Sequence, residues 1–444
     1  MSATMQTSHP IRPRLTATQV SRRGFLAGSG AVVAASTLGT KLAFASPETP
    51  TDGDVIVLVF LRGGMDGLSM VAPYRMPTYR TIRPTIRVKE PTEVANPANA
   101  GLPLDAGGSV DPFALSGTFG FNPGMAALHS TAWADGNLAV VHCVGMPATE
   151  SATRSHFDSM RNWEVGSAAG NQTTGFLNRF LLDVDANRIA GIARGSALTR
   201  SLAGPVPAYS MGSISGFGLT GFSNNTKAAD AITRWYDSGT GNAVMQLGAD
   251  TMTAVGTVRS VNWADPRFAV QNGATYPNTD FGWQLREVAQ LIRANIGLRA
   301  VCVDLGGWDT HSDMGAPENP NGYFRSRCVE LSEGLAAFYR DLGSQMNEVT
   351  VATISEFGRT IDENGTGGTD HGRGSTMLLM GGGIKGGVHG PFVPSITNGP
   401  EDDLTVLTDY RTVMAEVLTT RGGATDTSML FPTWMPTAPL GVCS

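Results

Sequence analysis

Five short runs of the chain are apolar at nearly every position: Val55 to Leu61 (VIVLVFL), Leu138 to Val144 (LAVVHCV), Ala300 to Leu305 (AVCVDL), Val349 to Ile354 (VTVATI) and Thr376 to Met380 (TMLLM). A half-exposed strand alternates apolar with polar positions, so continuous runs this short predict strands covered on both faces, as in a buried parallel sheet. Elsewhere the apolar residues recur at helical spacing. Leu285, Val288, Ile292 and Ile296 step by three and four, and so do Leu331, Leu335, Phe338 and Leu342. A third helix is expected from Asp409 to Thr420 with Thr408 as its N-cap. Strands alternating with helices predict an α/β fold: three layers, α/β/α, around a largely parallel central sheet. No repeat or heptad array interrupts the pattern. The Pro- and Gly-rich stretch from Pro91 to Gly124 reads as a loop insertion. One large domain over residues 46–444 is expected, because the candidate site residues described below run from position 66 to 389 and have to meet.

Composition narrows this. The chain has 444 residues and 55 glycines, roughly 12% against a usual ~7%, which excludes a helical bundle. Beyond the N-terminal region no apolar run reaches the ~20 residues needed to cross a bilayer, so no transmembrane segment is expected in the mature chain. The formal charge of −6 is unevenly placed. Residues 1–45 hold Arg12, Arg14, Arg22, Arg23 and Lys41 and no acid, which leaves 27 of the 32 bases against all 38 acids in the remainder, a balance of −11. Nucleic acid is not an expected partner of such a surface.

The N-terminus accounts for the asymmetry. Ser21-Arg22-Arg23-Gly24-Phe25-Leu26 precedes an Ala- and Gly-rich apolar stretch that ends in Ala43-Phe44-Ala45, a small-x-small cleavage pattern. Residues 26–38 carry no charge and so no polar helix face. The segment reads as a twin-arginine export signal over residues 1–45. It implies the twin-arginine translocase as a transient partner, a mature start at Ser46, and a periplasmic or secreted protein that folds, or takes up a metal, before export.

Four cysteines, Cys143, Cys302, Cys328 and Cys443, are too few for a disulfide scaffold in a chain of this size, and buried free thiols are expected. The glycines of Arg62-Gly63-Gly64-Met65-Asp66-Gly67 do not have GxGxxG spacing and bring no P-loop lysine, no CxxC pair is present, and no GxSxG elbow follows a strand in residues 46–444.

In an open α/β sheet the ligand site lies beyond the carboxyl ends of the strands. Four polar clusters follow the apolar runs there. Arg62-Gly63-Gly64-Met65-Asp66 places Asp66 to hold a cation or to fix a turn. Gly306-Gly307-Trp308-Asp309-Thr310-His311 offers Asp309 and His311 as metal ligands or as a turn cap and a surface residue. Ser355-Glu356-Phe357-Gly358-Arg359-Thr360 leads to Gly368-Thr369-Asp370-His371-Gly372-Arg373, where an adjacent Asp370–His371 pair among glycines suits a loop that ligates one ion, with His389 as a further imidazole. Hard oxygen beside imidazole nitrogen suits zinc, manganese or iron. The fourth, Thr153-Arg154-Ser155-His156-Phe157-Asp158, opens a helix, where Ser155 beside Arg154 faces an anion well.

Together these segments resemble the alkaline phosphatase superfamily, and more closely a family of twin-arginine-exported proteins of unknown function regarded as sulfatase-like members of it. The resemblance rests on RGGMDGLS after the first strand, TRSHFD, GFLNRFL from Gly175, GWDTH, SEFGRT, GGTDHGRGS, GGGIKGG and TDYRTVMAEVL, and covers nearly all of the chain after residue 45. It implies one metal held by Asp66, Asp370 and His371, a second held by Asp309, His311 and His389, and a nucleophile at a helix start between them, for which Ser155 is the closest match and Ser151 and Thr153 are alternatives. Asp309 and His311 are two apart where the phosphatases' Asp and His are usually four apart. A formylglycine-type sulfatase is disfavoured, since C/S-x-P-x-R occurs only as Ser8-His9-Pro10-Ile11-Arg12 inside the signal.

Two functions of different class follow. One is a hydrolase of phosphate or sulfate esters that uses zinc, manganese or calcium, with Ser155 as nucleophile, His156 as general acid or packing residue, and Arg154 or Arg373 on the non-bridging oxygens. The other is a non-catalytic binding or assembly protein on the same fold, in which the Asp and His residues are caps and structural ligands.

Overall fold

The computed structural model describes residues 53–104, 118–151, 153–184, 186, 189–219, 225–239, 242–393 and 403–444. The export signal expected over residues 1–45 lies outside them. The sheet is built from β1 (Val55–Leu61), β2 (Leu138–Gly145), β3 (Gly191–Arg194), β4 (Ala208–Met211), β5 (Ala300–Leu305), β6 (Val349–Ile354), β7 (Ser375–Met380) and β8 (Gly387–His389), in spatial order β8-β2-β7-β6-β1-β5-β3-β4, with β9 (Thr408–Asp409) also on β2. All pairings are parallel except the two made by β7.

β1 is the middle of this arrangement, and its composition explains why. Six of its seven residues are buried. Val57, Val59 and Leu61 pack into one apolar cluster and Ile56, Leu58 and Phe60 into another, so the two faces of the strand feed two cores. Each such side chain contributes roughly 1.5–3 kcal/mol of burial free energy, which no alternating strand would gain on both faces.

Helices cover both faces. α1 (His156–Val165) and α2 (Phe176–Asp183) precede the longer α3 (Asn225–Asp237), α4 (Ala243–Ser260), α5 (Asp280–Ala294) and α6 (Tyr323–Leu342), and α7 (Tyr410–Glu416) follows β9, with a short helical turn at Thr427–Leu430 after it. α4, α5 and α6 supply Val258, Leu285 and Leu335 to the first core, while α1, α2 and α7 supply Trp163, Phe180 and Met414 to the second. The fold is therefore α/β, with a large, mostly parallel sheet between helices. Among the described residues no helix is long and apolar enough to cross a membrane. The four cysteines are buried and unpaired.

Three details differ from the sequence expectation. The run Thr376–Met380 lies antiparallel to its neighbours, because the chain returns from β6 through a loop without the crossover helix that a parallel strand needs. Asp409, not Thr408, caps the last helix, its carboxylate accepting from the Arg411 amide at 2.9 Å, and after Glu416 the chain continues as a π-helical turn over Val417–Arg421. The stretch from Pro91 to Gly124 contains strands Leu102–Pro103 and Gly120–Phe121, which form a small antiparallel sheet with Val71–Ala72.

Candidate metal centre

β5, β1 and β6 are neighbours in register and point the same way. Their carboxyl ends release three loops side by side, carrying Gly63 and Asp66, Asp309 and His311, and Glu356 and Arg359. The segment before β7 returns to the same edge. It is fixed by an antiparallel bridge between Arg359 and His371 and by the Gly358 amide donating to the Arg373 carbonyl at 2.9 Å. The approach is so close that a Cβ on Gly358 would stand 1.7 Å from the Gly374 carbonyl oxygen. Only glycine fits there, and its use brings His371 beside Asp309. α1 starts at this edge as well and contributes His156 from its first position.

Three imidazoles thus meet around one carboxylate. Asp309 Oδ1 lies 3.1 Å from His311 Nε2 and 3.3 Å from His371 Nε2, and Asp309 Oδ2 lies 3.5 Å from His156 Nε2. The donor atoms of His156, Asp309 and His371 all fall within 4.8 Å of one another. In each ring the other nitrogen is committed. His156 Nδ1 is 2.8 Å from Glu356 Oε1, His311 Nδ1 is 2.8 Å from Asp370 Oδ1, and His371 Nδ1 is 2.9 Å from the Arg154 carbonyl oxygen. These partners can only accept, so each Nδ1 carries a proton, and a ring with no second proton presents a lone pair at Nε2. His156 Nε2 is buried and makes no hydrogen bond among the described residues. Nitrogens converging on one carboxylate, one of them orphaned, form a set that can hold a cation, and outer carboxylates or carbonyls on the far ring nitrogen are the usual way of aiming metal-ligating histidines.

The surroundings set the charge of the centre. Burial works to raise the Asp309 pKa, but the hydrogen bond and charge of Arg359, helped by His371 and His311, outweigh it and hold the carboxyl below its ordinary value. Arg359 is itself fully enclosed. Its Nε donates to the Gly64 carbonyl at 2.6 Å, one terminal nitrogen donates to the Thr369 carbonyl at 3.0 Å, and the other reaches Asp309 Oδ1 at 2.6 Å and the Gly63 carbonyl. The Asp370 carboxyl is lowered by its hydrogen bond from His311. His371 is lowered by burial and then by the charge of Arg359, which favours the neutral ring. Phe357 packs against both His156 and His371, with ring centroids 4.8 and 4.6 Å away, and closes one side. The other side is open: Asp309 and His311 keep 49% and 44% of their side-chain surface.

The residues expected to form two sites regroup around one. Asp309, His311 and His371 come together, His156 joins them, and Asp370 stands behind His311. Asp66 does not reach them. Its two oxygens each lie 2.9 Å from an Arg83 nitrogen, Oδ1 caps the Ser69 amide and Oδ2 accepts from Thr369, so a buried ion pair and a turn occupy its lone pairs. His389 ends β8, buried, with Nε2 2.8 Å from the Lys385 carbonyl oxygen and its pKa lowered by burial. Ser155 is the N-cap of α1, its Oγ accepting from the Asp158 amide at 3.5 Å, and Thr153 and Ser151 hold the Ser155 amide and the Asn162 side chain. Arg154 and Arg373 both donate to Asp403 Oδ2, at 2.7 and 2.9 Å.

Glu356 and Arg359 lie in the segment Ser355–Thr360, whose residue types alone assign them no role. Their signal was position: a carboxylate and a guanidinium directly after an apolar strand, where a solvated charge is out of place.

Residues 274–419 match a family described as a protein of unknown function (DUF1501). The match takes in Asp309, His311, Glu356, Arg359, Asp370 and His371, and leaves His156 outside it. No curated protein matches the chain. Among solved structures, the lipoteichoic acid synthase LtaP from Listeria monocytogenes aligns over 82% of this chain and 72% of that one, at 8% identity and a TM-score of 0.25.

Proposed function

We propose that the protein is a metal-dependent hydrolase of phosphate or sulfate esters, with one divalent ion held by Asp309 and the Nε2 atoms of His156, His311 and His371. The observation that carries this reading is the approach of three imidazole nitrogens, each with its other nitrogen tied to an acceptor, to a single carboxylate. Three nitrogens and one carboxylate suit zinc or manganese and argue against calcium, which takes oxygen ligands. When bound, such an ion polarises an ester oxygen and makes water or a hydroxyl more acidic.

The chain's own residues supply the rest. Glu356, Asp370 and the Arg154 carbonyl orient the three rings, and Arg359 fixes Asp309 while offsetting its charge. Phe357 keeps water from the His156–His371 side. Ser155, next to His156, is the candidate nucleophile, since among the described residues its hydroxyl oxygen accepts only the long contact from the Asp158 amide and its proton is committed to no partner.

The test combines metal analysis with turnover. Purified protein should hold about one ion per chain, and aryl phosphate monoesters, diesters and sulfates should be cleaved in a chelator-sensitive manner. Turnover lost in Ser155→Ala with metal retained supports the covalent route, whereas full activity assigns attack to water. Metal-loaded protein that cleaves none of these esters would overturn the hydrolase reading in favour of binding or assembly.

We also propose export by the twin-arginine route, on the strength of Arg22-Arg23 and the Ala43-Phe44-Ala45 pattern. Replacing both arginines by lysine should trap precursor in the cytoplasm, and an unchanged exported yield would sink the idea.

A further inference from the structure

Arg154 and Arg373 are unusual in sharing one oxygen. Both guanidiniums donate to Asp403 Oδ2, at 2.7 and 2.9 Å, and the trio carries a formal charge of +1. Two buried atoms are left over, for Asp403 Oδ1 and the NH1 nitrogen of Arg373 make no hydrogen bond among the described residues. The carboxylate therefore answers the two cations incompletely, with one of its own oxygens and one guanidinium nitrogen left unpaired among the described residues.

This trio is fixed to the metal centre by main chain. The Arg154 carbonyl holds His371, and Arg373 lies two residues beyond His371 on the same loop. The Asp403 backbone is held as well, by a bridge to Thr360 and by the Gly374 amide donating to the Leu404 carbonyl at 2.9 Å. Only the Asp403 side chain has to turn for the two guanidiniums to be freed.

We propose that Arg154 and Arg373 form a subsite for a tetrahedral oxyanion and that Asp403 occupies it in the free protein as an internal competitor. The identification of that oxyanion as the substrate's sulfate or phosphate group rests on the hydrolase reading; the subsite itself does not. A planar carboxylate offers the pair no more than Asp403 already does. Sulfate or phosphate brings further oxygens, which can meet each arginine with a separate oxygen where Asp403 offers both the same one, so tetrahedral anions displace Asp403 where carboxylates do not.

Isothermal titration of the full chain with sulfate, and in parallel with acetate, tests this on metal-depleted and on zinc-loaded protein. Asp403→Asn should bind sulfate on the order of tenfold more tightly than wild type, since a competing charge-assisted contact is removed. Adding Arg373→Met should abolish the gain, and acetate should bind weakly throughout. No gain in Asp403→Asn, or a gain that survives Arg373→Met, overturns the proposal. If Asp403→Asn melts well below wild type, Asp403→Ser takes its place, and sulfate should still raise the melting temperature of wild type but not of Arg373→Met; a wild type that does not respond overturns the proposal. Zinc uptake without any sulfate response removes the subsite and leaves the metal centre standing, while sulfate binding by a chain that takes up no metal does the reverse.

Discussion

The Nε2 atoms of His311 and His371 lie 2.9 Å apart, although each ring has already committed its Nδ1 proton, to Asp370 and to the Arg154 carbonyl. Two neutral rings so arranged would face each other lone pair to lone pair. A shared proton or a metal ion resolves the conflict, and the proposed ion would be held together with Asp309 and His156. His371→Ala and His156→Ala should each take the metal content from about one ion per chain to well below half, and chelation should lower the melting temperature of wild type but hardly that of the variants. Elemental analysis and thermal unfolding check both parts. Variants that keep a full complement of metal would place the ion elsewhere.

Asp370 and Glu356 stand one layer out, each on the far nitrogen of a ring. Their loss should weaken the site and not erase it. Asp370→Asn and Glu356→Gln are expected to reduce zinc affinity roughly 10–100-fold. Competition with a chromophoric chelator measures this directly. A complete loss of binding in Asp370→Asn would make Asp370 a ligand, and no change would make it a bystander.

Asp66 and Arg83 are buried to 1% and 0% exposure and paired at 2.9 Å. Removing one partner strands the other charge in the interior, so Asp66→Ala should cost roughly 3–5 kcal/mol of stability. Folded protein recovered at low temperature should nonetheless bind metal like wild type. Urea unfolding and metal titration separate the two effects; a variant of normal stability that has lost its metal would restore Asp66 as a ligand.

Much of this was legible in the chain. The continuous runs at Val55, Ala300 and Val349 became the three adjacent parallel strands, since strands buried on both faces leave no other pattern. The loops after them could be recognised as the candidate site from that alone. Which residues would share a metal could not, because that depends on the Arg359–His371 bridge, and bridges between loops leave no periodic trace. Strands as short as Gly191–Arg194 and helices as weakly apolar as Asn225–Asp237 also stayed hidden. Thr376–Met380 looked parallel because burial on both faces reads the same in either direction.

Gly358 tests that loop bridge. Its Cα faces the Gly374 carbonyl at a distance that excludes a methyl group, and its amide and carbonyl pair with Arg373 and Gly372. The obstacle is backbone, which cannot turn aside as a side chain would. Gly358→Ala should therefore cost about 3 kcal/mol or more and, where the protein still folds, misplace His371 and lower metal affinity. Gly365→Ala, which meets nothing within 4 Å, is the matched control. Equal stability of the two variants would show that the strands of this loop are not in contact.

His142 gives the chain a pH dependence distinct from the metal centre. It is fully buried in β2, stacked on Phe119 at 4.0 Å between centroids, with Nδ1 3.3 Å from the Thr376 hydroxyl and Nε2 without a hydrogen bond among the described residues. Burial depresses its pKa from 6.5 to about 3. Above about pH 6.5 the ring is neutral in both folded and unfolded chains and contributes no slope. Between there and about pH 3 the unfolded chain takes up a proton that the folded one refuses, so stability falls with falling pH, by at most about 1.4 kcal/mol per pH unit from this group. The carboxylates titrate over part of the same range, and a variant isolates the histidine. His142→Phe keeps the stacking on Phe119 and cannot be protonated. Its loss of stability between about pH 6.5 and pH 4, followed by urea unfolding, should be shallower than that of wild type, with the two curves parallel above about pH 7. Curves that stay parallel through the acid range would mean that His142 accepts its proton inside the folded protein.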